Sequence, residues 1–472
     1  MDGARVIGED QAGGPVRLRE PLDELVRPPW RFQHDLRFPP PERIRLYDDT
    51  LRDGEQMPGV AISPQNKYEL ARALSEIGVH IMDVGFPAVS ESERETLRLI
   101  LEGRRRGEIR PDVELICMMR CTRSDIQATL RVLDELGHPR DAVGYFIFTS
   151  ASDLHLKYKL GRTLLAREGR SPEEWLELPL SFYREANLRM LCEAIRFARA
   201  EGAELIEFGG EDGSRADPEY VGRLHAEGLA AGGSRPSTPD TVGCYSPYAV
   251  REYVHRIKAA TPEAPLVVHF HNDLGLGAWN SVVALGSGAD IVTTSVNGIG
   301  ERAGNAPLHQ VVLQLRYLFG IEIPGFRYER LRDLARCLER ISGIPVAPTE
   351  PGIGLNVFSH ESGIHTAAML IHPAIYQFIP PEELGTGTRY VYGKHSGTAV
   401  IEHALRGAGL SPDRELVTRV TEEVKRVREE RAASADFTGF QRAHHAHLES
   451  LGLSAAEVVE IARALIGDLA GG

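Results

Sequence analysis

Two histidines one residue apart give this chain of 472 residues its clearest chemical signal. The run His269-Phe270-His271 ends a short apolar stretch, and Asn272 and Asp273 follow it. Side chains at i and i+2 of a β-strand point to the same face, so both imidazoles can reach one metal ion. A pair of buried, hydrogen-bonded core histidines would show the same pattern. The position at the end of a predicted strand favours the metal.

A second polar segment, residues 47–56, offers carboxylates that could complete such a site. It carries Asp48, Asp49, Asp53 and Glu55 and follows another predicted strand. A solvated loop would explain any one of these carboxylates but is a weaker explanation for all of them together. Two imidazoles and one carboxylate leave a metal open to substrate, and they are compatible with Zn²⁺, Mn²⁺, Fe²⁺, Co²⁺ or Mg²⁺.

The elements that must position these residues alternate along the chain. Short apolar runs and amphipathic stretches follow each other at the spacing of one βα unit. The runs predict buried strands at Ile44–Tyr47, Ile81–Val84, Leu115–Met119, Ala142–Phe148, Leu205–Phe208, Leu266–His271 and Ile291–Val296. An eighth strand is placed near Arg235–Thr238 in spite of its prolines. Helices are predicted at Pro64–Ile77, Arg123–Leu136, Leu180–Ala200 and Pro247–Ala259.

This alternation over about 280 residues predicts an α/β fold, a (β/α)₈ TIM barrel followed by a smaller mixed or helical region. Two doubly wound domains are the alternative. The expected parts are an N-terminal arm, the catalytic barrel, a linker with a substrate-covering subdomain and a helical C-terminal subdomain, at residues 1–42, 43–325, 326–405 and 406–472. In the tail, four valines share one helical face and Ser454 forms a capping box with Glu457.

Composition limits the classes of function. The formal charge of −13, from 54 basic and 67 acidic residues, disfavours nucleic-acid binding. No apolar run approaches the roughly 18 residues that span a bilayer, and no signal-peptide pattern opens the chain. We therefore expect a cytoplasmic protein without a membrane partner. The five cysteines show no zinc-ribbon spacing and are expected to be reduced thiols.

Eight segments identify a family by their order. They are LYDDTLRDGEQMPG (46–59), GFPAVS (85–90), EDGSRADPEY (211–220), DTVG (240–243), HFHNDLGLG (269–277), NGIGERAGNAPL (297–308), SHESGIH (359–365) and GKHSG (393–397). Together they resemble the acetyl-CoA-dependent Claisen-condensing metalloenzymes that include isopropylmalate and homocitrate synthases. The resemblance implies a divalent metal (Mn²⁺, Mg²⁺, Zn²⁺ or Co²⁺), acetyl-CoA as co-substrate, an α-keto acid acceptor and a homodimer.

Carried over to this chain, the resemblance implies that Asp53, His269 and His271 hold the metal, with Asn305 in or near its coordination sphere. The keto acid would chelate the metal, which then acts as a Lewis acid on the ketone. Arg52 would stabilise the alkoxide that develops there. A salt bridge to an acidic neighbour is the alternative role for this arginine.

The resemblance also implies roles for residues around the metal. Gln56 and Thr241 match positions that line the keto-acid pocket, and Glu211 matches a carboxylate of the same site. His365 in SHESGIH would be the movable base, or base relay, that takes a proton from acetyl-CoA. Tyr376 matches a tyrosine of homocitrate-type relatives. Without the surrounding segment, a lone histidine in a linker would be assigned a structural role.

Departures from the family concern the acceptor. Asp83 stands where a glutamate is usual, and Cys117-Met118-Met119-Arg120 occupies the strand where lysine-pathway homocitrate synthases carry a histidine. We predict that Asp83 and Arg120 contact the acceptor's tail. Arg120 could pair with an acidic tail, whereas an apolar tail would leave its charge unpaired.

The expected product is therefore homocitrate-like or phosphinomethylmalate-like. An acidic acceptor such as a phosphono- or phosphinopyruvate or oxaloacetate ranks level with 2-oxoglutarate, and 2-oxoisovalerate ranks lower. The alternatives are a 2-isopropylmalate synthase, a carbon–carbon lyase like hydroxymethylglutaryl-CoA lyase, and a catalytically silent binding protein.

Overall fold

Eight parallel strands close into a barrel in the computed structural model, which describes residues 19, 25, 26 and 35–470. Each strand pairs with the next, and the first pairs with the eighth. The strands are β1 (Arg45–Asp48), β2 (Ile81–Asp83), β3 (Glu114–Arg120), β4 (Gly144–Ser150), β5 (Ile206–Glu211), β6 (Arg235–Asp240), β7 (Val267–Phe270) and β8 (Ile291–Thr294). The predicted TIM barrel is confirmed, including the proline-containing strand β6, which pairs with both neighbours.

Helices follow the strands as the periodicity predicts. Those up to the end of the barrel are α1 (Pro64–Ile77), α2 (Glu91–Arg105), α3 (Arg123–Leu136), α4 (Gly161–Arg167), α5 (Leu180–Ala200), α6 (Pro218–Ala230), α7 (Pro247–Ala260), α8 (Gly277–Leu285) and α9 (Leu308–Phe319). Side-chain caps fix several of the starts, since Ser63, Thr122 and Ser246 each accept a backbone N–H of the first turn. Three of the four predicted helices therefore match residue for residue, and the fourth is one residue longer.

The barrel interior is a packed core rather than a channel. Tyr47, Ile81, Ile116, Val267 and Ile291, one from each of five strands, form a buried cluster. These residues alternate with outward-facing ones along their strands, as a closed barrel requires. Polar side chains therefore collect beyond this layer, at the C-terminal ends of the strands.

The described residues form two compact units. One holds 35–327, 333–345 and 452–470, and the other holds 328–332 and 346–451. Most of the predicted N-terminal arm lies outside the described residues. Of its described part, Arg37 donates its backbone N–H to Gly286, and the Phe38 ring lies 4.6 Å from that of Phe319.

The second unit is mainly helical. The remaining helices are α10 (Leu331–Ser342), α11 (Gly363–Ile371), α12 (Thr398–Gly407), α13 (Arg414–Ala433), α14 (Thr438–Glu449) and α15 (Ala455–Ala470). Of these, α11 to α14 lie in the second unit, whereas most of α10 and all of α15 belong to the first. Two short strands of the second unit, β9 (Ser359–His360) and β10 (Arg389–Tyr390), pair in parallel. Val417, Val420 and Val424 of α13 pack with Val400 and Ile401 of α12, as their spacing predicts. The limit predicted between residues 405 and 406 falls inside this unit.

Two smaller expectations can be compared with the structure. The Ser454–Glu457 capping box is present, because each residue's side chain accepts the other's backbone N–H. Among residues 35–470, no helix is both long and apolar enough to cross a membrane.

Candidate active site

Three side chains that could hold a metal ion meet at the C-terminal end of the barrel. His269 lies in β7, His271 directly follows the end of that strand, and Asp53 lies in the loop after β1. The two Nε2 atoms are 3.1 Å apart, and the Asp53 Oδ2 lies 3.5 Å from one and 4.0 Å from the other. All three side chains are largely buried, and their donor atoms lie within 4.8 Å of one another. The two histidines thus face the same side, as their spacing predicts.

Asn305 joins this cluster from the loop after β8. Its Nδ2 donates to Asp53 Oδ2 at 2.6 Å and to Asp49 Oδ1 at 3.2 Å, while its Oδ1 is buried without a partner. The neighbouring Gly304 has φ +87°, and a Cβ there would lie 1.8 Å from the Gly298 carbonyl oxygen. Only glycine fits this turn, which brings Asn305 to the cluster.

The charges of the cluster suit a bound cation. Burial raises the pKa of Asp53, but the Arg52 guanidinium and the two imidazoles outweigh it and lower that pKa to about 2. Burial and the adjacent His269 lower the pKa of His271 to about 3. Burial also lowers the pKa of His269, yet Asp49 and Asp53 raise it by more, so it lies above the ordinary value. At neutral pH the cluster therefore offers an ionised carboxylate and a neutral imidazole.

Arg52 links the cluster to β2. Its Nε donates to Asp83 Oδ2 at 2.6 Å and its Nη1 donates to Asp53 Oδ1 at 3.0 Å. Asp83 is 0% exposed, also accepts the Gly85 N–H, and does not line the cavity described below. Asp83 therefore lies behind Arg52, accepts a hydrogen bond from its guanidinium and is not part of the cavity lining.

A buried lysine ties together the two loops that carry these residues. The Nζ of Lys67, a fully buried residue of α1, lies 2.5 Å from Glu55 Oε2 and also forms an ion pair with Glu93. Glu55 accepts the backbone N–H of Ile62, and Glu93 accepts that of Phe86. One cation thus holds the loop after β1 and the loop after β2.

A cavity of about 510 Å³ opens over the cluster. Of the predicted residues, Arg52, Asp53, Gln56, Glu211, Thr241, His269 and His271 line it. Sequence reasoning missed further lining residues, namely Lys159, Glu301, Arg302 and the aromatic side chains of Phe86, Phe146 and Phe148. The polar run after β4 that contains Lys159 was the available signal, comparable to the run after β1.

Arg120 is not brought into the cavity lining. Its Nε and Nη2 donate to the two carboxylate oxygens of Asp125, in the first turn of α3, at 2.7 and 3.0 Å. Its side chain is 59% exposed. The expected contact with an acidic tail therefore has no support from this placement, because a nearer carboxylate takes the guanidinium. Met118, two residues earlier, lines the cavity instead.

His365 and Tyr376 belong to the second unit. His365 lies in the first turn of α11, and the two rings stack with centroids 4.1 Å apart. Both side chains are exposed. The structure thus pairs these two predicted residues with each other.

Comparisons with known proteins agree along most of the chain. A family model described as HMGL-like matches residues 43–171 and 172–337, and one described as homocitrate synthase post-HMGL domain-like matches residues 353–432. The homocitrate synthase AksA of Methanopyrus kandleri is 36% identical over 84% of this chain and 90% of its own length. The 2-isopropylmalate synthase of Sulfurisphaera tokodaii is 34% identical over 82% and 92%. That of Sulfolobus acidocaldarius is 34% identical over 84% and 94%.

Proposed function

The chain belongs to the HMGL-like family and is an acyltransferase whose acyl group becomes an alkyl group on transfer, and we propose a specific reaction for it. In this reaction, acetyl-CoA is condensed with a 2-oxo acid. The thioester formed is then hydrolysed, which releases CoA and a 2-substituted malate. The observation that carries this proposal is the cluster of Asp53, His269 and His271, which opens on a cavity that Arg52 also lines.

The donor set fits a divalent metal ion. Two imidazole nitrogens and one carboxylate oxygen converge, and the buried Oδ1 of Asn305 beside them has no partner. Such a mixed nitrogen and oxygen set suits Mn²⁺, Zn²⁺ or Co²⁺ better than Mg²⁺. We propose that Asp53, His269 and His271 hold the ion, which supplies Lewis-acid polarisation of the acceptor's ketone.

The protein's own groups then complete the site. Arg52 is a fixed cation, oriented by Asp83, that stabilises the negative charge developing on the ketone oxygen. Gln56 and Thr241 line the cavity and offer hydrogen bonds to the acceptor's head. We assign His365 as the base that takes a proton from the methyl group of acetyl-CoA, with Tyr376 stacked on it.

The tail of the acceptor is the finer part of the proposal. Phe86, Met118, Phe146 and Phe148 form an apolar wall, in which the Phe86 and Phe148 rings meet edge to face at 6.3 Å. An acidic tail placed there would lose water, and Arg120, whose guanidinium lies 5.6 Å from the Phe86 ring centroid, is already paired with Asp125. We therefore propose a short apolar tail, as in 2-oxoisovalerate, which makes 2-isopropylmalate the product.

The cavity's cations bear on this choice. In the part of the chain that the structure describes, the three cations of the lining are each paired, Arg52 with Asp83, Lys159 with Glu211 and Arg302 with Asp273. One observation favours an acidic-tailed acceptor as the second candidate, namely that Lys159 is 46% exposed and could leave Glu211 for a substrate carboxylate.

A panel of acceptors tests both the proposed condensation and the proposed preference for an apolar tail. Each 2-oxo acid is incubated with acetyl-CoA and Mn²⁺, free thiol is followed, and the product is identified by mass spectrometry, with chelator-treated enzyme and His269→Ala as controls. We expect 2-oxoisovalerate to exceed 2-oxoglutarate, oxaloacetate and phosphonopyruvate at least about tenfold in kcat/KM, which is worth about 1.4 kcal/mol.

Two variants make the test of the tail sharper. Met118→Ala should narrow the preference among acceptors, whereas its matched control Arg120→Ala should leave it unchanged. Better turnover of an acidic acceptor would replace the apolar tail with the second candidate. Thiol release with no acceptor at all would reject the condensation itself.

A further inference from the structure

A histidine outside the metal cluster lies between two acidic residues of the site. His155 opens a single π-helical turn, His155–Lys159, that follows β4. Single π-helical turns are rare in proteins, and those that occur are frequently found at functional sites. The imidazole Nε2 lies 3.6 Å from Asp212 Oδ2, and its Nδ1 lies 3.9 Å from Glu211 Oε1. This Nδ1 is buried and has no hydrogen-bond partner.

The Asp212 side of the ring is rigid. Asp212 is fully buried, and its carboxylate accepts hydrogen bonds from Ser152 Oγ at 2.5 Å and Arg215 Nε at 2.7 Å. Its backbone N–H donates to Thr241 Oγ1 at 2.8 Å, and the His155 backbone N–H donates to Ser152 Oγ. The imidazole is therefore held so that its free nitrogen faces Glu211.

The Glu211 side reaches the cavity. Glu211 lines the cavity and is also paired with Lys159, on the same turn as His155. Burial lowers the pKa of His155, against the opposing effect of Asp212 and Glu211, while Lys159 and Arg215 lower it further. The ring is thus neutral at pH 7, with a nitrogen available to accept a proton.

We propose that His155 is a positioning residue that exchanges a proton with Glu211 during turnover. The proposal rests on the proposed function and adds that Glu211, which lines the cavity, takes the proton that water loses when it attacks the thioester. The O–H bond of Glu211 then breaks, an N–H bond forms at His155 Nδ1, and the electron pair stays on the carboxylate. The reverse transfer returns the proton to Glu211, which passes it to the departing CoA thiolate, so both groups are restored and no other reactant is consumed.

The present separation is longer than a hydrogen bond, which sets how the transfer occurs. The Oε1 of Glu211 must move closer to the ring, or one water must bridge the two groups, while Lys159 holds the other oxygen, Oε2.

Kinetics of His155→Asn test the proposal, with the exposed His255→Asn of α7 as the matched control. We expect kcat to fall at least tenfold while the KM of the 2-oxo acid stays within threefold and the binding of Mn²⁺ is unchanged. One ionisation between pH 5 and 8 should disappear from the pH profile of kcat. A uniform loss at every pH, with the profile's shape unchanged, would overturn the proposal.

A titration by NMR keeps this test separate from the proposed function. In protein labelled at histidine Cε1, the signal lost in His155→Asn identifies His155. Glu211→Gln removes a neighbouring negative charge and should lower the midpoint of that signal by at least about half a pH unit. An unchanged midpoint rejects the coupling. Failure of every acceptor to react would reject the proposed function, but the NMR titration would still show whether His155 and Glu211 are coupled.

Discussion

Replacing Lys67 by methionine should destabilise the barrel strongly and in a pH-dependent way. Methionine keeps the length of the side chain but leaves Glu93, a buried residue, without its cation. Breaking one partner of a buried ion pair typically costs about 3–5 kcal/mol. Glu55 is more exposed and can turn toward water, so the unpaired Glu93 accounts for this cost.

Protonation limits this cost. An ordinary glutamate titrates near pH 4.3, so taking up a proton at pH 7 costs about 4 kcal/mol, and at pH 5 only about 1 kcal/mol. The unpaired carboxyl group will take up a proton wherever that costs less free energy than staying ionised without a cation. The variant's loss in free energy of unfolding should therefore be about 4 kcal/mol at pH 7. This loss should shrink as the pH falls toward the ordinary pKa that a glutamate has in the unfolded chain.

Thermal unfolding measures this loss directly. For a unit of this size, about 4 kcal/mol corresponds to a drop in Tm on the order of 8 °C at pH 7, and about a quarter of that at pH 5. Adding Glu93→Gln to Lys67→Met should recover at least half of the loss at pH 7. The surface pair of Lys394 and Glu429 supplies the control, since Lys394→Met should cost at most about 1 kcal/mol. A loss that is equal at both pH values would refute the reasoning.

Three further predictions concern the site itself. His269→Ala and His271→Ala should each remove turnover and lower the metal content determined by elemental analysis, because two ligands hold the ion poorly; full metal content in either variant would contradict the assignment. His365→Ala should lower kcat by a factor on the order of 10²–10⁴ with Mn²⁺ and 2-oxo acid binding intact; an equal loss of acceptor affinity would place this histidine at the acceptor instead. The pKa of His269 is raised, so protons should begin to weaken Mn²⁺ binding already above pH 6.5, by up to about tenfold per unit, and an affinity that is constant down to pH 5.5 would speak against it.

Much of the fold could be predicted because its signals are local. The hydrophobic period gave the bounds of α1, α3 and α5, and side-chain caps mark the starts of α1 and α3. The repeat of βα units required an eighth strand between β5 and β7. The strand β6 contains two prolines, so its position was predicted from the count of strands rather than from its own sequence.

The parts of the site that could not be predicted depend on contacts across the fold. The i and i+2 spacing placed His269 and His271 on one face, because that geometry is intrinsic to a strand. In contrast, whether Arg120 faces a substrate or pairs with Asp125 depends on where α3 begins, because the first turn of this helix places Asp125, five residues later, beside the guanidinium. The pairing of Lys159 with Glu211 joins residues 52 positions apart, and no local sequence pattern indicates this pairing.

Calorimetric titration of metal-stripped and Mn²⁺-loaded protein with 2-oxoisovalerate tests the central claim most directly. If the cluster of Asp53, His269 and His271 holds the ion that the acceptor binds, the loaded protein should bind the 2-oxo acid at least about tenfold more tightly than the stripped protein, a difference of about 1.4 kcal/mol. Asp53→Ala should bind it equally weakly with or without Mn²⁺. Equal affinity in the stripped and loaded wild-type protein would contradict the account.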